Sequence, residues 1–203
     1  MQTVPDITQN NHSIKKVAIF ASGAGSNTKK IIEHFEGNVD IAISLIVCNK
    51  QHAGVVDIAY EKQLAVLIIE KDRFFTGDGY VEELKRFEID FIVLAGFLWK
   101  IPETIIHHYR NKIINIHPAL LPNYGGKGMY GLKVHQAVIT AGDAESGITI
   151  HYVDEQYDNG DVIFQARCPV LKTDTPETLA ERIHQLEHTN FPRVIEECVS
   201  KLR

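Results

Sequence analysis

Two polar side chains, Asn115 and His117, stand two positions apart, directly after the apolar pair Ile113 and Ile114 and directly before Pro118. On a β-strand, residues two apart share a face, so an amide and an imidazole would project together. The Asn115 amide can donate a hydrogen bond to an oxyanion as it develops. His117 titrates near neutral pH and can move a proton. Together they are equipment for acyl transfer. Pro118 has no N–H for a sheet ladder, so the strand ends there. That places the pair at a strand's carboxyl end, where open parallel sheets bind ligands. An isolated Asn-x-His-Pro is nevertheless more often a strand end, with the asparagine satisfying a turn. The company it keeps along the chain changes that balance.

Three other stretches carry possible chemistry. Ala21-Ser22-Gly23-Ala24-Gly25-Ser26-Asn27 follows an apolar run and opens a helical pattern. Glycines let backbone approach an anion closely, and a helix N-terminus offers unpaired N–H groups to it. The dinucleotide fingerprint is incomplete, because Thr28 stands at its third glycine position, and there is no Gly-Lys-Ser/Thr of a nucleotide P-loop. A single phosphomonoester suits the loop better than a dinucleotide; a tight ligand-free turn suits it equally well. Asp158, in Tyr-Asp-Asn-Gly-Asp, is a favoured turn residue and could also orient and charge a catalytic histidine. His184-Gln185-Leu186-Glu187-His188 matches a zinc-peptidase pattern with histidines on one helix face. Only 15 residues follow His188 (203 − 188), which leaves little room for a distant third ligand.

The elements that must position these residues follow a simple rhythm. Apolar runs at residues 17–21, 41–48, 65–69, 91–95 and 113–116 read as strands. Helical spacing occupies 26–35, 55–62, 80–87, 104–109 and 132–140, with Pro102 at a first helical position. Continuous apolar strands alternating with helices mean a parallel sheet covered on both faces. The rhythm then changes. Residues 147–153 alternate like an antiparallel strand, 162–170 form another, and Asp158-Asn159-Gly160-Asp161 is a turn signal between them. Thr175-Pro176-Glu177 opens a long closing helix with Thr175 as N-cap. The expected fold is α/β, a doubly wound, mostly parallel, Rossmann-like sheet with an antiparallel C-terminal part and a closing helix. Residues 1–15 read as a flexible polar leader and 16–203 as one domain. Its phosphate-binding half is 16–110 and its catalytic half 111–203.

Composition narrows the class. The 203 residues carry a net charge of −5 and no basic stripe, which argues against a nucleic-acid partner. No apolar run reaches membrane-spanning length. Three scattered cysteines, Cys48, Cys168 and Cys198, lack metal or disulfide spacing and suit a reduced, cytoplasmic protein. Monomer and dimer are both compatible with the sequence.

Taken in order, Ser22-Gly-Ala-Gly-Ser-Asn27, Val93-Leu-Ala-Gly-Phe97, Asn115-Ile-His-Pro-Ala-Leu-Leu-Pro122, Gly147-Ile-Thr-Ile-His-Tyr-Val153 and Asp158-Asn-Gly-Asp161 resemble the folate-dependent formyltransferases, most closely those acting on glycinamide ribonucleotide. The resemblance runs from Lys16 to the end. It implies a formyl transfer from 10-formyltetrahydrofolate to the amine of glycinamide ribonucleotide in purine biosynthesis, with no metal called for. It makes Asn115, His117 and Asp158 the catalytic set. The ribonucleotide would meet Gly23, Gly25, Ser26, Asn27, Pro118, His184 and Glu187, which turns the zinc pattern into a substrate contact. The folate would meet Leu98, Trp99, Lys100 and Ile101 after the fourth strand, together with Asn115, Val153 and the loop Asp154, Glu155, Gln156, Tyr157 and Asp158. Trp99 stands where many members carry arginine, and residues 125–132 form a longer, glycine-rich version of a commonly shorter loop, with Lys127 available to an anion. Relatives acting on methionyl-tRNA, or hydrolysing formyltetrahydrofolate, share the Asn-x-His and Asp core but carry added domains. A non-catalytic sensor of a phosphorylated metabolite could use the glycine loop without needing that core.

Overall fold

The computed structural model describes residues 13–202. The leader expected at residues 1–15 lies outside the described residues as far as residue 12. Among those described, seven strands form one sheet in the order β3-β2-β1-β4-β5-β6-β7. The strands are β1 (Lys15–Ala21), β2 (Ile41–Cys48), β3 (Ala65–Ile68), β4 (Phe91–Leu94), β5 (Ile113–His117), β6 (Glu145–Tyr152) and β7 (Val162–Pro169). The first five are parallel. β6 joins β5 antiparallel, and β7 joins β6 antiparallel. The expected fold class is the observed one.

Seven helices accompany the strands: α1 (Ser26–Phe35), α2 (Gly54–Glu61), α3 (Lys71–Thr76), α4 (Val81–Arg86), α5 (Glu103–His108), α6 (Leu132–Ala141) and α7 (Pro176–Val199). The period-two alternation of β1 shows how the sheet is covered. Val17, Ile19 and Ala21 face a core built with Ile31 of α1, Val55 of α2, Val138 of α6 and Ile183 of α7. Ala18 and Phe20 face a second core with Phe74 of α3, Leu84 of α4 and Ile105 of α5. Phe20 and Phe91 are fully buried, each burial contributing about 1.5–3 kcal/mol. α3 is the one helix the sequence pattern does not reveal. Pro102, expected at the first helical position, is the N-cap of α5, one position before its first residue, Glu103. Thr175 caps α7 as expected, accepting a hydrogen bond from the Thr178 N–H in a reciprocal capping box.

The topology creates the site. β1 pairs with β2 on one side and β4 on the other, so the crossovers run in opposite directions from the β1–β4 border. The crevice at the carboxyl ends of such strands is where doubly wound sheets take ligands.

Candidate active site

A cleft of about 730 Å³ opens at that crevice, a volume suited to a small organic ligand. One wall is the glycine loop. Gly25 takes a left-handed conformation at φ 81° and serves as N-cap of α1 without a side-chain cap. The first-turn N–H groups of α1 are thus left open, and no acidic residue occupies that turn, which suits an anion. A Cβ at Gly25 would lie 2.9 Å from the Val55 Cα, whereas one at Gly23 would meet nothing within 4 Å. Gly25 is therefore required by packing, and Gly23 is free to face a ligand. The loop is braced against β4: Ser22 N–H donates to the Gly96 carbonyl at 3.1 Å, and the Ser22 hydroxyl accepts from Leu98 N–H at 3.0 Å. Lys50, exposed at the end of β2, lines the same wall.

The floor is the end of β5. Asn115 and His117 share a face, as their spacing requires, and β6 brings His151 opposite Asn115 and Thr149 opposite His117. Asp158, on the turn between β6 and β7, reaches the pair. Its Oδ1 accepts from Asn115 Nδ2 at 3.4 Å. Its Oδ2 lies 3.6 Å from His117 Nδ1 and accepts from the Gly126 N–H at 2.8 Å. Asp158 itself sits at φ 53°, in left-handed backbone. The expected catalytic set is thus assembled around one carboxylate.

Each partner fixes a protonation state. His117, 3% exposed, uses Nε2 to donate to the Tyr124 carbonyl at 2.8 Å; a carbonyl can only accept, so that nitrogen carries its proton. Burial pushes the His117 pKa down, and Asp158 and the Tyr124 carbonyl oppose it without cancelling it. The ring is therefore neutral at rest. For Asp158, burial is the largest influence and pushes its pKa up. His151, His117 and the Gly126 N–H beside it together outweigh it, and the net shift is downward. Asp158 is an anion at neutral pH.

His151 is a member of the site that sequence reading passed over. Its Nδ1 donates to the Tyr152 carbonyl at 2.8 Å, which leaves the Nε2 lone pair to accept from Asn115 Nδ2 at 3.1 Å. The Asn115 amide is thereby turned with its N–H₂ group inward. Of its two N–H contacts, the long one to Asp158 is the weaker and the more easily exchanged for a substrate oxygen. Thr149 works one layer out: its hydroxyl donates to the Ala119 carbonyl and accepts from Leu121 N–H, holding the loop that leaves His117. Thr149 and His151 share one phase of the alternation visible in the sequence, and both phases of β6 are buried, so the pattern does not single them out.

The third wall is α7. Glu187, 5% exposed, accepts from Asn27 Nδ2 at 2.8 Å, tying α7 to the glycine loop. Burial raises its pKa against the lowering effects of Asn27 and His184. His184 also lines the cleft, and its ring stacks on His188. Among the described residues no group of three or more His, Cys, Asp or Glu is placed to hold a metal ion.

The cleft gathers Gly23, Gly25, Ser26, Asn27, Leu98, Asn115, His117, Pro118, Tyr157, Asp158, His184 and Glu187 from the expected set. Trp99, Lys100, Ile101, Val153, Asp154, Glu155 and Gln156 are outside its lining. Trp99 packs against Phe74 and Phe75 at 5.6 Å each, and Ile101 is buried in the second core. Val153 N–H bonds the Ile113 carbonyl. Asp154 accepts from Gln156 N–H and the Asn159 amide, and Glu155 lies 3.5 Å from His107. The glycine-rich loop 125–132 contributes Lys127, Met129 and Tyr130 to the opening.

The formyl transferase family profile matches residues 15–195. A phosphoribosylglycinamide formyltransferase named as chloroplastic, from Arabidopsis thaliana, is 40% identical over 202 residues, covering 96% of this chain and 69% of the relative. One from Bacillus subtilis is 38% identical over 191 residues, covering 92% of this chain and 95% of the relative. The crystal structure of phosphoribosylglycinamide formyltransferase from Bacillus halodurans superposes with a TM-score of 0.83 at 35% identity, covering 92% of this chain and 96% of that one.

Proposed function

This chain belongs to the formyl transferase family, and from that premise we propose that it moves the formyl group of 10-formyltetrahydrofolate onto the amine of glycinamide ribonucleotide, with Asn115, His117 and Asp158 as the catalytic set. The observation that carries the site assignment is the convergence of Asn115 and His117 on the Asp158 carboxylate at the floor of the cleft. The substrate amine attacks the formyl carbon and a C–N bond forms. The carbonyl electron pair moves onto oxygen. Asn115 donates an N–H to that oxyanion, worth about 10²–10³-fold. The proton shed by the attacking amine passes by way of Asp158, directly or through water, to Nδ1 of His117, whose protonated ring neutralises the oxyanion. As the bond from the formyl carbon to the folate nitrogen breaks, the same proton returns by way of Asp158 to that leaving nitrogen, and His117 is neutral again. Atoms balance without a metal, because the formyl carbon is already electrophilic.

The phosphate would rest on Gly23, Ser26 and Asn27 at the open start of α1, with Lys50 nearby. Glu187 and His184 would meet the ribose. Leu98 and Tyr157, both on the cleft wall, support the folate side. Trp99 and the segment 153–156 would act there by shaping the loops rather than from the cleft lining. No helix among the described residues is long and apolar enough to cross a membrane, and the three cysteines are free and buried, which fits a reducing compartment such as the cytoplasm.

A formyl-transfer assay with glycinamide ribonucleotide and 10-formyltetrahydrofolate tests the reading. Stoichiometric tetrahydrofolate and formylated product are expected; formylfolate hydrolysis independent of the ribonucleotide would support a hydrolase instead. The glycine loop gives a second expected result. Gly23→Val adds bulk where only ligand stands, so it should weaken ribonucleotide binding by about tenfold or more, with folate binding and melting temperature unchanged. Gly25→Val should instead lower the melting temperature, because its side chain meets Val55 and its φ is positive. Calorimetry and thermal melts on the pair separate ligand contact from packing.

A further inference from the structure

One buried group in the cleft has no part in the chemistry above. His135, on α6, is 2% exposed, lines the cleft, and has no hydrogen-bond partner at Nδ1. A buried polar atom without a partner costs about 1–3 kcal/mol, so native structures rarely leave one unless a ligand or water meets it. The other unpaired polar atom on the cleft wall is Asn27 Oδ1, part of the loop already given to the substrate.

The position of His135 says what it would meet. His184 and His117 are close enough to act on it electrostatically. It shares the lining of the cleft with the α7 residue assigned to the ribose and the β5 residue assigned to the reacting centre. Burial, with those two neighbours adding to it, takes its pKa to about 4. The ring is neutral at physiological pH, with one N–H and one lone pair. A neutral ring has no charge with which to select a phosphate dianion, and it is suited to an uncharged oxygen.

We propose that His135 is a further substrate-binding residue, hydrogen-bonded to an oxygen of the ribose–glycinamide segment that joins the phosphate to the reacting amine. This rests on the ribonucleotide reading of the site. His135 would set the distance between the anchored phosphate and the formyl carbon by holding the middle of the molecule.

The test compares His135→Leu, which removes the polar atoms, with His135→Asn, which restores a donor and an acceptor, in steady-state kinetics. His135→Leu should raise the KM for glycinamide ribonucleotide about tenfold, the scale of one lost hydrogen bond, with kcat and the KM for formylfolate nearly unchanged. His135→Asn should recover most of that loss. The phosphate-free glycinamide riboside should show the same fold-loss with His135→Leu. Equal rises in both KM values, no rise in either, or a loss confined to the phosphate-bearing substrate would overturn the proposal. Should His135→Leu not fold, nitrogen NMR of wild-type histidines decides. The His135 signals should shift on adding glycinamide ribonucleotide and stay put with inorganic phosphate; no shift, or the same shift with phosphate, overturns it. An inactive wild type would remove the functional reading itself, whereas an active wild type with an indifferent His135 removes only this inference.

Discussion

His117→Ala lowers kcat by about 100-fold or more, with both KM values little changed. The expectation follows from where the ring sits. It is buried, its Nε2 is committed to the Tyr124 carbonyl, and its Nδ1 faces Asp158. Alanine removes the only group of this set that can gain positive charge as the oxyanion forms. In the proposed site the substrate would be gripped at the glycine loop and α7, so ground-state binding should survive and the loss should belong to the transition state. Steady-state turnover measures it. Near-wild-type kcat in a folded variant would mean that the proton moves elsewhere.

Asp158→Asn should cost about as much, on the order of 10²-fold in kcat. Asparagine has the same shape, tolerates left-handed backbone, and can still accept from Gly126 N–H. What it loses is the charge that favours protonated His117 and the capacity to relay a proton. The pH dependence adds a check on sign. The Asp158 pKa is lowered, so its carboxylate persists through about pH 5 to 8. Wild-type kcat should therefore show no inflection from Asp158 in that window, and any inflection there should survive in Asp158→Asn, scaled down. An acid limb that vanishes in the variant would assign a raised pKa to this carboxyl and contradict the arrangement of its donors.

Much of this was readable before any coordinates. Period-two and helical spacing place every strand and six of the seven helices, because both faces of the sheet are buried and each element must show its apolar face. α3 is missed because, unlike the equally short α4 and α5, Lys71–Thr76 buries a single residue, Phe74, and shows no repeating apolar face. Asn115 and His117 are legible as a pair since strand geometry is local. Their meeting with Asp158 is not, because it depends on β6 joining β5 antiparallel in one register. His151 depends on that same register. The loop after β4 is less legible. The resemblance makes it one continuous folate wall; Leu98 lines the cleft, while Trp99 packs against a cluster of phenylalanines and Ile101 lies in a core. Apolar side chains go where they lose most contact with water, and linear proximity to a site does not override that.

The left-handed backbone at Asp158 has a consequence for anyone who breeds this protein for durability. An aspartate held at φ 53° carries roughly 1 kcal/mol of conformational strain, and glycine would carry none. Glycine there would also take the acceptor from the Gly126 N–H, a cost of about 1–3 kcal/mol that offsets or exceeds the strain released. A screen scored only on survival of heating therefore has no reason to discard the carboxylate, and the strained residue is kept by its own hydrogen bond.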